Sequence, residues 1–239
     1  MKIEILQHES FEALGEYLLW AKRNHHEVNI TKVFEGDSVP ESVSADMLLV
    51  MGGPQSPSTT KEECSYFDAK KEISLIQKYV KEKKIVIGVC LGAQLMGEAY
   101  GARYEHSPFK EVGLTPMELT EEGRKDLNFK DFPSSFISGS WHSDMPGLAK
   151  DSVVLALSKG CPREIIRYSK HVYGFQCHLE FNPAVVEGLI ENNPSDLVNR
   201  DSNPYISTKE EILSFSYVSM NQYLDRFLDN ISRSYRPNP

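Results

Sequence analysis

The sequence predicts an α/β protein built on a parallel sheet, and three observations carry the prediction. Strand-like and helix-like segments alternate through residue 100, two of the strands are apolar without polar alternation, and an amphipathic helical stripe lies between them. Lys2 to Leu6 reads as the opening strand, after which Phe11, Leu14, Leu18 and Ala21 recur at helical spacing with Ser10 placed as a cap. Val28 to Val33 alternates as a strand. Met47 to Met51 is short and wholly apolar, and turn-forming residues follow each of these strands. From Ser65 to Lys81, Ala69, Ile73, Ile76 and Val80 form one stripe among lysines and glutamates, which is a helix laid on a sheet. Ile85 to Val89 is a buried strand that opens a helix over Leu91 to Tyr100. Strands joined through helices in this way form right-handed crossovers.

The second half changes character. Gly113 to Leu119, Phe132 to Ser138, Ser152 to Leu157, Glu164 to Tyr168 and Val172 to Cys177 read as closely spaced strands, some of which must pair antiparallel. Helices return at Pro183 to Glu191 and from Lys209 to about Ser232, ahead of a polar tail from Ser234 to Pro239. No repeat, low-complexity tract or linker divides the chain. Residues 1–239 are therefore expected to form one domain, with a helical extension over 181–239.

Composition narrows the class of function. Hydrophobic residues make up 40% and charged residues 25%, the proportions of a globular protein with a sizeable core. A net charge of -8 argues against nucleic acid as a partner, because affinity for it rests on Lys and Arg neutralising phosphates. The N-terminus is too short and too charged in its apolar part for a secretory signal, and no stretch reaches the roughly 18 apolar residues that would span a bilayer. A cytoplasmic protein without a membrane partner is expected. The four cysteines, Cys64, Cys90, Cys161 and Cys177, contain no CxxC pair and are too few for a disulfide scaffold, so Cys64, Cys161 and Cys177 read as small buried hydrophobes.

Cys90 differs because of its neighbours. Gly88-Val89-Cys90-Leu91-Gly92 matches the Gly-x-nucleophile-x-Gly elbow, a sharp strand-to-helix turn that presents the nucleophile at the carboxyl end of a sheet. The five residues alone would equally describe a buried cysteine between packing glycines. The predicted strand before them and helix after them supply the context the elbow requires, and a helix N-terminus favours thiolate over thiol. A second piece, Met51-Gly52-Gly53-Pro54, ends another predicted strand, and its glycines let backbone N–H groups approach a ligand closely. The N–H groups of Gly53 and Leu91 together would form an oxyanion hole, in which one donor is worth about 3 kcal/mol of barrier. The third piece is Gly174-Phe175-Gln176-Cys177-His178-Leu179-Glu180. Here His178 and Glu180 share a side of a strand end, so a carboxylate can orient an imidazole that exchanges protons with Cys90.

Taken together, GVCLGAQ at 88–94, MGGP at 51–54 and GFQCHLE at 174–180 resemble the class I glutamine amidotransferases, over roughly Lys2 to Phe181. The resemblance implies a Rossmann-like, doubly wound, mostly parallel sheet with flavodoxin-like layering, and a Cys-His-Glu triad at Cys90, His178 and Glu180. It implies a small-molecule γ-glutamyl substrate, a γ-glutamyl thioester on the cysteine, ammonia protonated by the histidine, and release of glutamate by water. It also implies that Gln94 contacts the substrate and that Ser140, Trp141 and His142 bind the glutamine α-groups, largely through backbone. No cofactor is expected. His142 and Asp144 alone are poor grounds for a metal, so none is expected either. Leu179 stands where the family often has proline, which keeps both reactive groups and alters the turn after the histidine.

Cys161-Pro162 and Lys110-Glu111 place the chain nearest the free-standing branch related to the amidase domain of GMP synthetase, which includes γ-glutamyl peptidases. Two alternatives to glutamine hydrolysis stay open: a γ-glutamyl peptidase acting on glutathione-like conjugates, and an amidotransferase that depends on a synthetase partner. A related superfamily of stress chaperones and cysteine proteases commonly has histidine directly after its elbow cysteine, where this chain has Leu91. A purely regulatory, non-enzymatic protein would not require all three triad residues.

Overall fold

A computed structural model describes residues 1–198 and 203–235; the end of the polar tail expected after Ser234 lies outside the described residues. β1 (Lys2–Gln7) leads through α1 (Gly15–Arg23), β2 (Glu27–Lys32), β3 (Met47–Val50) and α2 (Ala69–Lys81) to β4 (Ile85–Val89) and α3 (Leu91–Ala99). The second half holds β5 (Glu105–Leu119), α4 (Glu121–Lys125), β6 (Ser135–Met145), β7 (Val153–Leu157), β8 (Ile165–Ser169) and β9 (Val172–Phe175). α5 (Pro183–Asn192), α6 (Lys209–Ser214) and α7 (Val218–Ser234) complete the described chain.

Among the described residues, nine strands share one sheet in the order β2-β1-β3-β4-β9-β8-β7-β5-β6. The half from β2 to β9 is parallel. The half from β9 to β6 is antiparallel. The unbroken apolar runs of β3 and β4 now have a physical reason. Met47, Leu49, Ile85 and Ile87 enter one core with Tyr17, Trp20, Leu224 and Phe227 of α1 and α7. Leu48, Val50 and Val86 enter a second core with Leu75, Ile76 and Leu95 of α2 and α3. A strand covered on both faces has no position at which a polar residue would meet water.

The chain passes from β1 to β2 on one side and returns to β3 on the other. Such a reversal opens a crevice at the carboxyl ends of the strands.

Two boundaries differ from expectation. α1 begins at Gly15, and Ser10 caps nothing, because the helix start is fixed by a tertiary contact: Gly15 takes φ +49 with its Cα against Glu180, and the Glu16 N–H donates to the Glu180 carbonyl at 3.0 Å. Residues 8–14 are thereby left as a loop over the carboxyl edge of the sheet. The single helix expected from Lys209 onward is two. α6 starts at a Thr208–Glu211 capping box and stops at Phe215, whose backbone is extended. Apolar spacing runs through the break, so periodicity does not reveal it.

Candidate active site

Cys90 sits between the end of β4 and the first turn of α3, with φ 51 and ψ −107. A non-glycine residue with positive φ is strained and persists only where its surroundings over-determine it. Here the glycines do so. A Cβ on Gly88 would lie 2.4 Å from the Gly92 carbonyl oxygen, and one on Gly92 would lie 2.0 Å from the Val50 oxygen of β3. The turn closes only because both positions lack side chains. The Cys90 N–H also donates to the Phe175 carbonyl at 2.7 Å, which ties the elbow to β9.

His178 follows β9 and is fastened to β6, its N–H donating to the Gly139 carbonyl at 2.8 Å. Its ring stacks on Phe181 at 4.4 Å, and Gly139 leaves the space that Phe181 fills. Glu180 Oε1 lies 2.6 Å from His178 Nδ1, both groups being buried. Because an ionised carboxylate only accepts, Nδ1 is the donor and Nε2 is the nitrogen left for other work. Burial opposes charge on this ring, but the Glu180 carboxylate and the Cys90 sulfur outweigh it and hold His178 well above the usual histidine range.

Gly52 lies between the two groups. A Cβ there would sit 3.4 Å from Cys90 Cβ, 3.5 Å from His178 Cε1 and 2.5 Å from Glu12 Oε2. Gly53 stands beside Leu91, since its Cβ would come within 3.0 Å of the leucine side chain. The structure therefore brings together Cys90, His178, Glu180, Gly52, Gly53 and Leu91 from separate stretches of chain. Trp141 borders the same cleft: its carbonyl is 3.9 Å from Cys90 Sγ, and its indole donates to Asp196 at 2.8 Å.

The other expected substrate residues are placed less directly. Gln94 is buried and donates to Gln176 at 3.2 Å, and Gln176 in turn reaches Cys90 Sγ at 3.4 Å, so Gln94 is one residue removed from the sulfur. Ser140 is buried within β6. The His142 side chain is buried with Nε2 3.6 Å from both Glu111 and Glu164. Asp144 pairs with His106 at 2.5 Å.

Glu111, His142 and Cys161 each offer one ligand-type atom, all within 4.8 Å of one another, in a group separate from Cys90, His178 and Glu180. Proton sharing accounts for this cluster. Burial and Glu164 push Glu111 up to about 8, Glu164 is raised by burial, and burial lowers His142 to about 4. A protonated Glu111, bonded to the Ser158 hydroxyl at 2.8 Å, beside neutral His142 leaves little net charge in the core.

Sequence reasoning missed Glu12, Gln176 and Phe181. Gln176 and Phe181 flank the histidine motif, and that adjacency is the signal that could have found them. Glu12 has no such signal, because the spacing around it reads as helix. Burial pushes its carboxyl up to about 7, against the pull of His178 and His8.

The fold and this arrangement define a class of cysteine-bearing α/β enzyme whose residues gather at the carboxyl edge of the sheet. Residues 13–193 match the model of the glutamine amidotransferase class-I family, and the chain belongs to that family. It is 44% identical over 236 residues to the glutamine amidotransferase-like protein YfeJ of Salmonella typhimurium, covering 98% of this chain and 99% of that one. It is 28% identical over 186 residues to the glutamine-hydrolyzing component of GMP synthase from Methanococcus maripaludis, covering 75% of this chain and 90% of that one. Among solved structures, SMU.1228c superposes with a TM-score of 0.95 at 50% identity, over 97% of this chain and 100% of that one. A glutamine amidotransferase from Thermotoga maritima superposes with a TM-score of 0.83 at 19% identity, over 97% of each chain, which supports the fold. Among the described residues, no helix is long and apolar enough to cross a membrane.

Proposed function

We propose that the chain hydrolyses the γ-glutamyl amide of glutamine through a thioester on Cys90. The observation that carries this reading is the strained Cys90 at the head of α3, beside an imidazole whose Nδ1 is held by Glu180 at 2.6 Å. The thiolate attacks the γ-carbonyl carbon, and the carbonyl electron pair moves to oxygen, where the N–H groups of Gly53 and Leu91 receive it. As the tetrahedral adduct collapses the C–N bond breaks, and the His178 imidazolium gives its proton to the departing nitrogen as ammonia leaves. Water then attacks the thioester, His178 takes the water proton, and the C–S bond breaks to release glutamate and restore the thiolate. Glu180 keeps the ring in the tautomer and orientation that both transfers need. Backbone around Ser140, Trp141 and His142, with Gly52 and Gln94, bounds the place for the glutamate moiety, and the whole chain acts as one amidotransferase domain.

The likeness to a protein named as one component of GMP synthase favours a second reading, in which the same chemistry supplies ammonia to a synthetase partner. Single-turnover release of ammonia and glutamate from glutamine and from glutathione, with mass spectrometry for a covalent adduct, tests both. Wild type is expected to release both products from glutamine, and Cys90→Ser neither. Preference for glutathione would move the assignment to a γ-glutamyl peptidase. Absence of both turnover and adduct would sink the triad reading.

A further inference from the structure

A second buried histidine–carboxylate pair lies beneath the glycine turn. His8 follows β1, and Glu72 is in the first turn of α2; both side chains are fully buried. His8 Nε2 is 2.9 Å from Glu72 Oε2, and His8 Nδ1 is 3.0 Å from the Gly52 carbonyl oxygen. A carbonyl can only accept, so Nδ1 carries a proton wherever the proton between His8 and Glu72 resides. The ring is wedged in place edge-on to Phe67, 5.9 Å away. Burying a histidine and a glutamate together is expensive unless the pair is fully bonded, and this one is bonded at both ring nitrogens.

The acceptor matters more than the pair. The Gly52 carbonyl and the Gly53 N–H belong to one peptide unit, and none of the described peptides is cis. In a trans unit the two groups point in opposite directions. A donor that draws the Gly52 oxygen toward the sheet therefore turns the Gly53 N–H away from it. Two adjacent glycines are also the segment least able to hold its own orientation, because nothing at Cβ resists rotation of the peptide. The anchor must come from outside the turn.

We propose that His8, held by Glu72, is a positioning residue that fixes the Gly52–Gly53 peptide with its N–H toward the oxyanion of the Cys90 adduct. The assignment rests on the hydrolytic reading above and extends it to residues from β1 and α2 that touch no substrate. A residue acting this way contributes only once charge has developed on the substrate oxygen, so its loss lowers kcat and leaves KM and the intrinsic reactivity of the sulfur alone.

Leucine and asparagine have nearly the same shape, but only asparagine carries a donor near the position of Nδ1. His8→Leu is expected to lose about 10²-fold in kcat with little change in KM, and His8→Asn to recover most of it. Alkylation of Cys90 by iodoacetamide, which forms no oxyanion, is expected to proceed at the wild-type rate in both. Wild-type kcat in His8→Leu, a parallel loss of alkylation rate, or no recovery in His8→Asn would each overturn the assignment. The wild-type chain gives an independent reading should the leucine variant not fold. When glutamate γ-semialdehyde adds to Cys90 as a thiohemiacetal, the Gly53 amide proton should move downfield in NMR spectra while His8 Nδ1 stays protonated. A stationary Gly53 amide or an unprotonated Nδ1 would count against the anchor. If the wild-type chain shows neither Cys90-dependent turnover nor a thiohemiacetal, the hydrolytic reading falls, and the positioning role falls with it.

Discussion

Each reactive side chain in the cleft is set by a neighbour that the chemistry does not consume. Glu180 fixes His178, and the amino end of α1 fixes Glu180 through the Glu16 N–H. Gln176 reaches the Cys90 sulfur, and Glu12 places a carboxyl that titrates at about 7 on the edge of the same cleft. The anionic surroundings of His178 lead to a prediction about pH. Below its raised pKa the ring is imidazolium and can protonate ammonia; above it that proton is lost, so His178 governs the alkaline limb of kcat/KM. Glu180→Gln removes the main charge that raises it. The alkaline limb should move to lower pH, with kcat falling roughly 10²- to 10⁴-fold as the tautomer is no longer held. A pH profile of kcat/KM measures both effects, and an unmoved limb would separate Glu180 from His178.

The elbow is a property of elements, since it depends on how closely β3, β4 and α3 approach. Gly92 lies in the first turn of α3, directly over the end of β3, where its missing Cβ leaves room for the Val50 carbonyl. Backbone cannot yield as a flexible side chain can. Gly92→Ala is accordingly expected to destabilise the fold by about 3 kcal/mol or more, read as a lower urea midpoint. Gly188, inside α5, is the contrasting case. A Cβ there would make only ordinary contact, 3.5 Å from the Phe11 carbonyl oxygen, so Gly188→Ala should stabilise by about 0.5–1 kcal/mol through helix propensity. If the two substitutions behave alike, packing at the elbow is not what makes Gly92 necessary.

At the scale of the whole molecule, buried titratable groups outside the triad set how stability responds to pH. His142 is lowered from 6.5 to about 4, so between those values the unfolded chain binds the extra proton and stability rises with pH. Glu111 is raised from 4.5 to about 8, so between those values the folded chain binds it and stability falls with pH. The two trends oppose each other up to about pH 6.5, and only the fall remains from there to about pH 8. The thermal midpoint of the wild-type chain should decline across that upper window, and Glu111→Gln should flatten the decline. An equal slope in both proteins would show that Glu111 does not hold its proton in the folded state.

The sequence by itself determined the alternation of strands and helices, the two-sided burial of β3 and β4, and the three motifs that meet at Cys90. These are written locally, in apolar spacing and in glycines that backbone geometry requires. Where α1 starts, where the long C-terminal helix breaks, and the presence of Glu12, His8 and Glu72 around the cleft were decided only by tertiary structure. Gly15 starts its helix because Glu180, 165 residues along the chain, is close enough to receive the Glu16 N–H. His8 reads as one polar residue after a strand until Glu72 and Gly52 are folded against it. Spacing along a chain records which face a residue shares, whereas a hydrogen bond between distant segments leaves no periodic mark.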